Sequence, residues 1–265
     1  AGYISSELNI QETVDGSVTG TSYVNSDGVI TEAIDMDYAT VCRMWDENGR
    51  IIGERYLDAN GDPVARYDDY YGVSYEYDET STVITYLDAE GNPIIRSDGY
   101  STIIRTQIDS MASEDFYYDL DGQQVQCSGG YYGLQHWYNS DGQNTGMTFL
   151  DKDGHAVCSS SGYAGVTYQC NMDGTFVGQQ YFDTEGNPVR SMFGQYGELY
   201  QRNEQGYISQ ITYLDADGNP ASTNAGYTIL KRTYHRDGTA DTDMYFDAEG
   251  NQKALSVSYT HLTLP

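Results

Sequence analysis

Hydrophobic and polar residues alternate along this chain in short runs, cut at regular intervals by clusters of Asp, Asn and Gly. In "ISQITYLD" (208–215), Ile208, Gln210, Thr212 and Leu214 share one face; Ser209, Ile211, Tyr213 and Asp215 share the other. "GVTYQC" (165–170) and "TILKRTY" (228–234) alternate in the same way. A period of two puts successive side chains on opposite faces, so these runs predict β-strands. The clusters between them predict tight turns, because Asp and Asn side chains bond their own backbone and Gly accepts positive φ. After position 22 no segment of ten or more residues carries a helical period. "ISSELNIQET" (4–13) is ambiguous alone and reads as strand from its place in the series.

The runs form a tandem repeat. "YLDAEGNP" (86–93) has close relatives at 56–63, 181–188, 213–220 and 245–252. The opening aromatic falls at Tyr56, Tyr86, Tyr117, Phe149, Tyr181, Tyr213 and Tyr245, in steps of 30 to 32 residues, and a degenerate copy opens at Tyr23. A fixed period of this size marks a stacked array. Full copies open at 23, 56, 86, 117, 149, 181 and 213; partial copies occupy 1–22 and 245–252. A second aromatic lies fourteen residues into the copies, at Tyr70, Tyr100, Tyr131, Tyr163 and Tyr227, with Tyr196 one residue later. Pro63, Pro93, Pro188 and Pro220 each follow the opening aromatic by seven. Each copy is expected to hold about three strands, the proline-bearing one needing an edge or a bulge.

The predicted fold is all-β: hairpin or meander repeats of about 32 residues stacked into an elongated solenoid or a single-layer sheet. A seven-bladed β-propeller is the alternative, although a period of 32 is short for four-stranded blades. Residues 1–252 read as one array. The series begins out of phase, with Gly2-Tyr3 matching the mid-repeat "GY" of 99–100, which predicts an internal piece of a longer repeat protein. Residues 253–265 are set aside as a non-repeat tail, since "SVSYTHLTLP" (256–265) resembles translated adapter read-through from metagenomic assemblies.

Composition sharpens this reading. Hydrophobic residues make up 38% of the chain, and 27 of its residues are tyrosine, so little Leu, Ile and Val is left for a thick core. Tyrosine suits a thin array: its ring covers the sheet while its hydroxyl reaches water or a carbonyl. Lys and Arg total 13 against 40 Asp and Glu, a formal net charge of −27. Such a surface repels nucleic acid and anionic membranes and attracts cations. No run is long enough to span a membrane as a helix. Cys42, Cys127, Cys158 and Cys170 contain no C-x-x-C, and their offsets within the copies do not build a disulfide ladder.

"YFDTEGN" (181–187) and "YLDADGN" (213–219) resemble the Tyr-Phe-Asp-x-x-Gly core of bacterial cell-wall-binding repeats of the choline-binding type. "WDENGRI" (45–51) is similar to the Tyr-Asp-x-x-Gly-Arg core of the YD repeats of RHS-type surface and toxin shells. The resemblance spans 23–252 and rests on a turn and its flanking aromatics. Both families are β-hairpin arrays of extracellular bacterial proteins, so it implies a bacterial, cell-surface or secreted setting. Neither Trp45 nor Trp137 follows a glycine, whereas cell-wall-binding repeats use a Gly-Trp pair in their pockets. No choline pocket carries over. YD repeats also have a shorter period.

Candidate chemistry is thin. Paired carboxylates could run glycoside hydrolysis, but here they recur at one turn position in nearly every copy, as solvated turn residues do. Calcium is the cofactor candidate. "DKDGH" (151–155) and "DADGN" (215–219) echo the start of an EF-hand loop through Asp151, Asp153, Asp215 and Asp217, although Gly stands at position 4 rather than 6 and no bidentate Glu recurs. The competing reading is plain Asx turns. The four histidines do not converge for zinc, and no G-x-S-x-G or phosphate loop occurs. Tyr70, Tyr100, Tyr131, Tyr163, Tyr196 and Tyr227 are candidate anchors for a sugar ring or a protein partner, against a role as the core itself.

These observations lead to the expectation of a non-enzymatic repeat segment, a spacer or an adhesion module for cell-wall glycan or surface protein. The alternative is an accessory region of an enzyme acting on cell-surface polysaccharide, with its catalytic domain outside this stretch.

Overall fold

Seventeen strands and no helix are present among the residues described by the computed structural model, which are 9–32, 37–67, 69–171, 174–235 and 238–254. Most of the tail set aside above, 255–265, lies outside them. The chain divides into two units, Ala1–Ser160 and Ser161–Pro265. The first holds β1 (Asn9–Asp15), β2 (Val18–Val24), β3 (Thr40–Trp45), β4 (Ile51–Leu57), β5 (Gly72–Tyr77), β6 (Ser81–Leu87), β7 (Thr102–Asp109), β8 (Ala112–Tyr118), β9 (Gly133–Tyr138) and β10 (Asn144–Leu150). The second holds β11 (Gly165–Cys170), β12 (Phe176–Phe182), β13 (Gly197–Arg202), β14 (Ile208–Leu214), β15 (Ile229–Tyr234), β16 (Ala240–Phe246) and β17 (Gln252–Lys253).

Within each unit every strand pairs antiparallel with the next in sequence. Each is therefore an open meander. The hydrogen-bonded ladder also runs from one copy into the next, as where β4 meets β5 (Glu54↔Val73) and β14 meets β15 (Ile211↔Leu230). A propeller breaks its sheet between blades; among the described residues no such break occurs inside either unit. Residues 9–13 of "ISSELNIQET" lie in β1, as their place in the series required, and 4–8 lie outside the described residues.

Each copy holds two strands rather than three. The proline segment shrinks to a single bridge, Leu57↔Pro63, Leu87↔Pro93, Phe182↔Pro188 or Leu214↔Pro220. Proline has no N–H to extend a ladder. The turn before it is built as its letters predict. Asp58 Oδ1 accepts the N–H groups of Asn60 at 2.8 Å and Asp62 at 2.9 Å. Gly61 sits at φ +87°, a conformation that side chains rarely adopt.

One face of the meander forms the core. It is a column of rings beside a column of aliphatics, held in step by register: Val41 faces Tyr56, Val73 faces Tyr86, Ile103 faces Tyr117, Val166 faces Tyr181 and Leu230 faces Tyr245 across the strands. Cross-strand neighbours share a face, so ring and aliphatic pack side by side. Tyr100, Ile103, Tyr117 and Cys127 form one such buried cluster, and Tyr38, Val41 and Tyr56 another.

Ion pairs lie two residues along the same strands. Arg43 faces Glu54, Arg105 faces Asp115 and Arg232 faces Asp243, each with an N–O separation of 2.6–2.8 Å. Asp115 is 3% exposed and also lies 3.4 Å from His136 Nε2. All four cysteines are free thiols.

Candidate functional site: the aromatic file and its gap

The opening and mid-repeat aromatics alternate in a single file. In the first unit it runs Tyr23, Tyr38, Tyr56, Tyr70, Tyr86, Tyr100, Tyr117, Tyr131, Phe149, with successive centroids 4.4–6.0 Å apart. In the second unit Tyr163 meets Tyr181 at 4.5 Å, and Tyr213, Tyr227 and Tyr245 follow one another at 5.4 and 4.7 Å. Contacts of this kind contribute roughly 0.5–1.5 kcal/mol per pair beyond area burial. Five of the six candidate tyrosines, Tyr70, Tyr100, Tyr131, Tyr163 and Tyr227, thus stand in the file, buried or half-buried.

Tyr196 does not. Its N–H donates to Leu214 O, as the N–H groups of Tyr71, Ser101, Tyr132 and Thr228 donate to their own partners one copy away. That is the register position after the file. The file position in this copy belongs to Gln195, whose carbonyl accepts from Ser191 N–H just as the carbonyls of Tyr100, Tyr131 and Tyr227 accept from Arg96, Cys127 and Thr223. One ring is therefore missing between Tyr181 and Tyr213.

The aliphatic column is interrupted in the same copy. Glu198 faces Tyr213, where every other copy has Val, Ile or Leu. The two exceptions bond one another: Gln195 Nε2 donates to Glu198 Oε1 at 2.9 Å. The Tyr181 hydroxyl also donates to Oε1, at 3.2 Å, and the Tyr200 hydroxyl donates to Oε2. Burial pushes the Tyr181 and Tyr200 hydroxyls far up, and the Glu198 charge pushes them further. Among the described residues no arginine or lysine pairs with Glu198.

A cavity of about 410 Å³ opens here, lined by Phe193, Gln195, Glu198, Tyr213, Thr223 and Tyr227. Its size falls in the range of ligand pockets, about 300–1,000 Å³. Gln195 is 4% exposed, yet its Oε1 has no hydrogen-bond partner. Met192 and Phe193 stand at the rim, 62% and 64% exposed. The rim is tied to the next turn by Asn224, whose N–H donates to Phe193 O and whose Nδ2 donates to Met192 O.

The turn aspartates are placed differently. Asp151 Oδ1 accepts from the N–H groups of Asp153 and His155, each at 2.9 Å, and Asp215 Oδ1 accepts from those of Asp217 and Asn219 at 3.0 and 2.8 Å. These are Asx turns with one oxygen committed twice. The bond from the His155 N–H is the main reason that the Asp151 carboxyl lies below the usual range. Asp153 and Asp217 are exposed. Among the described residues no three His, Cys, Asp or Glu side chains gather as a metal set. We expect sodium and calcium buffers of matched ionic strength to give the same melting temperature. Both should exceed the value at 0.01 M salt, where the Debye length of about 30 Å leaves the −27 charge poorly screened. A rise specific to calcium and abolished by Asp215→Ala with Asp217→Ala would make the turns metal sites.

Comparison with known proteins adds little to this geometry. No protein-family model and no curated protein matches the chain. Among solved structures it is similar to the crystal structure of a porin-like protein from Bacteroides uniformis, at 12% identity and a TM-score of 0.29, over 92% of this chain and 90% of that one.

Proposed function

We propose that this chain is a non-enzymatic repeat segment of a bacterial cell-surface or secreted protein, a spacer that also offers contact sites to a partner. The ring file is the observation that carries this reading. Each copy in the first unit stacks its rings between those of its neighbours, so copies are interchangeable structural links. Asp58 and Asp215 cap their turns, and Asp115 is held in a strand-to-strand ion pair. The bacterial surface setting rests on the resemblance of the repeat core to cell-wall-binding and YD repeats.

A spacer must tolerate a change of length by whole links. Deleting 86–116 joins Thr85 to Tyr117 in phase and removes one copy. The shortened chain should keep its β-sheet circular dichroism and lose only on the order of 5 °C in melting temperature. Collapse of the shortened chain would rule out interchangeable links and the spacer role with them.

A further inference from the structure

The gap at Gln195 has a counterpart in the first unit that shows what fills such a space. There Arg96 lays its guanidinium over three successive rings of the file, 5.4 Å from the centroid of Tyr70, 4.5 Å from Tyr86 and 5.4 Å from Tyr100. One copy earlier Arg66 lies over Tyr38 at 4.7 Å and Tyr56 at 5.2 Å. Both arginines stand ten residues after their opening aromatic. The residue ten after Tyr213 is Thr223. The three file positions that correspond to Tyr70, Tyr86 and Tyr100 are then Gln195, Tyr213 and Tyr227. All four of these residues line the cavity. The cavity is thus the place where a sibling copy holds its own guanidinium, opened by the short threonine side chain.

The polar groups in the wall fit a cation that donates hydrogen bonds. Arg96 is met by Asp69 at 2.7 Å; the position that matches Asp69 is Gly194. A carboxylate comes instead from Glu198, which breaks the aliphatic column and has neutral donors but no cation beside it. Gln195 adds an acceptor with no partner. Tyr213 and Tyr227 supply ring surface for cation–π contact. A planar fork of N–H donors matches carboxylate and ring faces together better than a compact ammonium does.

We propose that this cavity is a guanidinium site, which takes the side chain of an arginine presented by a basic segment of a partner protein. It deepens the contact role proposed above and rests on it. Arginine in a desolvated pocket is a typical interface anchor. The net charge of −27 draws basic segments toward the chain. Met192 and Phe193, exposed at the rim, offer apolar surface to the residues flanking that arginine.

The test is an NMR titration of the full chain with N-acetyl-arginine amide, N-acetyl-lysine amide and N-acetyl-citrulline amide, the last being neutral and close in shape to arginine. The arginine probe should shift the Gln195 side-chain amide and the ring signals of Tyr213 and Tyr227. Citrulline lacks the charge and lysine lacks the second donor of the fork, so each should bind at least about tenfold more weakly, a factor that one charge-assisted contact accounts for. Thr223→Arg should plug the cavity from within, as Arg96 does, and abolish the shifts while circular dichroism stays unchanged. Should that variant fail to fold, Gln195→Tyr with Glu198→Val restores the ring and aliphatic found in the other copies, and it should abolish the shifts equally. Equal binding of citrulline or of lysine would overturn the guanidinium assignment. Arginine binding that persists in the folded variants would place it on the acidic surface instead. If no probe binds, the site falls while the spacer reading, tested by deletion, stands.

Discussion

Tyr117→Ala should cost about 3–5 kcal/mol, the range for deleting a buried aromatic, and lower the melting temperature by roughly 10 °C. Tyr117 is 5% exposed, lies 4.4 Å from Tyr100 at an interplanar angle of 13°, and touches Tyr131 at 6.0 Å on its other side. Truncation removes both contacts and leaves a hole in the buried cluster of Tyr100, Ile103 and Cys127. Tyr117→Phe keeps the ring and should cost less than about 1 kcal/mol. Thermal melts followed by near-ultraviolet circular dichroism read the rings directly. A Tyr117→Ala loss below about 1 kcal/mol would mean that the file covers the sheet without stabilising it.

The second large effect concerns Arg105. Its guanidinium grips Asp115 through two bonds, Nε to Oδ1 at 2.7 Å and Nη2 to Oδ2 at 2.6 Å. Burial pushes the Asp115 carboxyl upward, and its bonds to Arg105 and His136 more than offset this, so the group ends below its ordinary value of 3.8. A depressed folded value means stability that is fully present above the unfolded value and lost as pH falls through the folded one. Arg105→Met leaves the carboxylate buried without its main partner. The expected loss at pH 7 is about 3 kcal/mol, toward the low end for a broken buried pair because Arg105 is 45% exposed. Freed of arginine, Asp115 should protonate at a higher pH than in the native chain, so the penalty should shrink as pH is lowered toward that point. Arg105→Met with Asp115→Leu should recover most of the loss. Urea titrations at pH 7 and pH 5 provide the check, and a double variant no more stable than the single one would refute the desolvation account.

The period, the strands and the ring stacking were legible because tyrosine recurs at the same step and the Asp-x-x-Gly turns have a local mechanism. The third strand was over-read: Pro63 and its equivalents look like strand formers by their Val and Ile neighbours, yet a missing N–H limits each to one bridge. Arg105 with Asp115, and Glu198 with Tyr213, were missed for one reason. They are neighbours only once strand register is known, and register depends on bulges such as those between Gln107 and Asp109 and between Gln201 and Arg202, which leave no clear letter in the sequence. The gap had a sequence mark in Tyr196 falling one residue late. Counting that tyrosine as a shifted member of the file hid the glutamine beside it. The turn aspartates were legible as residues, and the structure shows Oδ1 of Asp151 and of Asp215 engaged by backbone N–H groups.

The continuous ladder inside each unit has a genetic consequence. Similar stretches such as those encoding 56–63 and 86–93 are natural partners for unequal recombination, and an exchange at matching letters adds or removes a whole copy. Because each copy receives and passes on the same backbone ladder, the product keeps its faces, whereas a slip of one residue would turn every side chain to the wrong side. Copy number can therefore drift between lineages at little cost to folding. A copy with altered letters, like the one opening at Tyr181, can specialise while its neighbours keep the sheet intact.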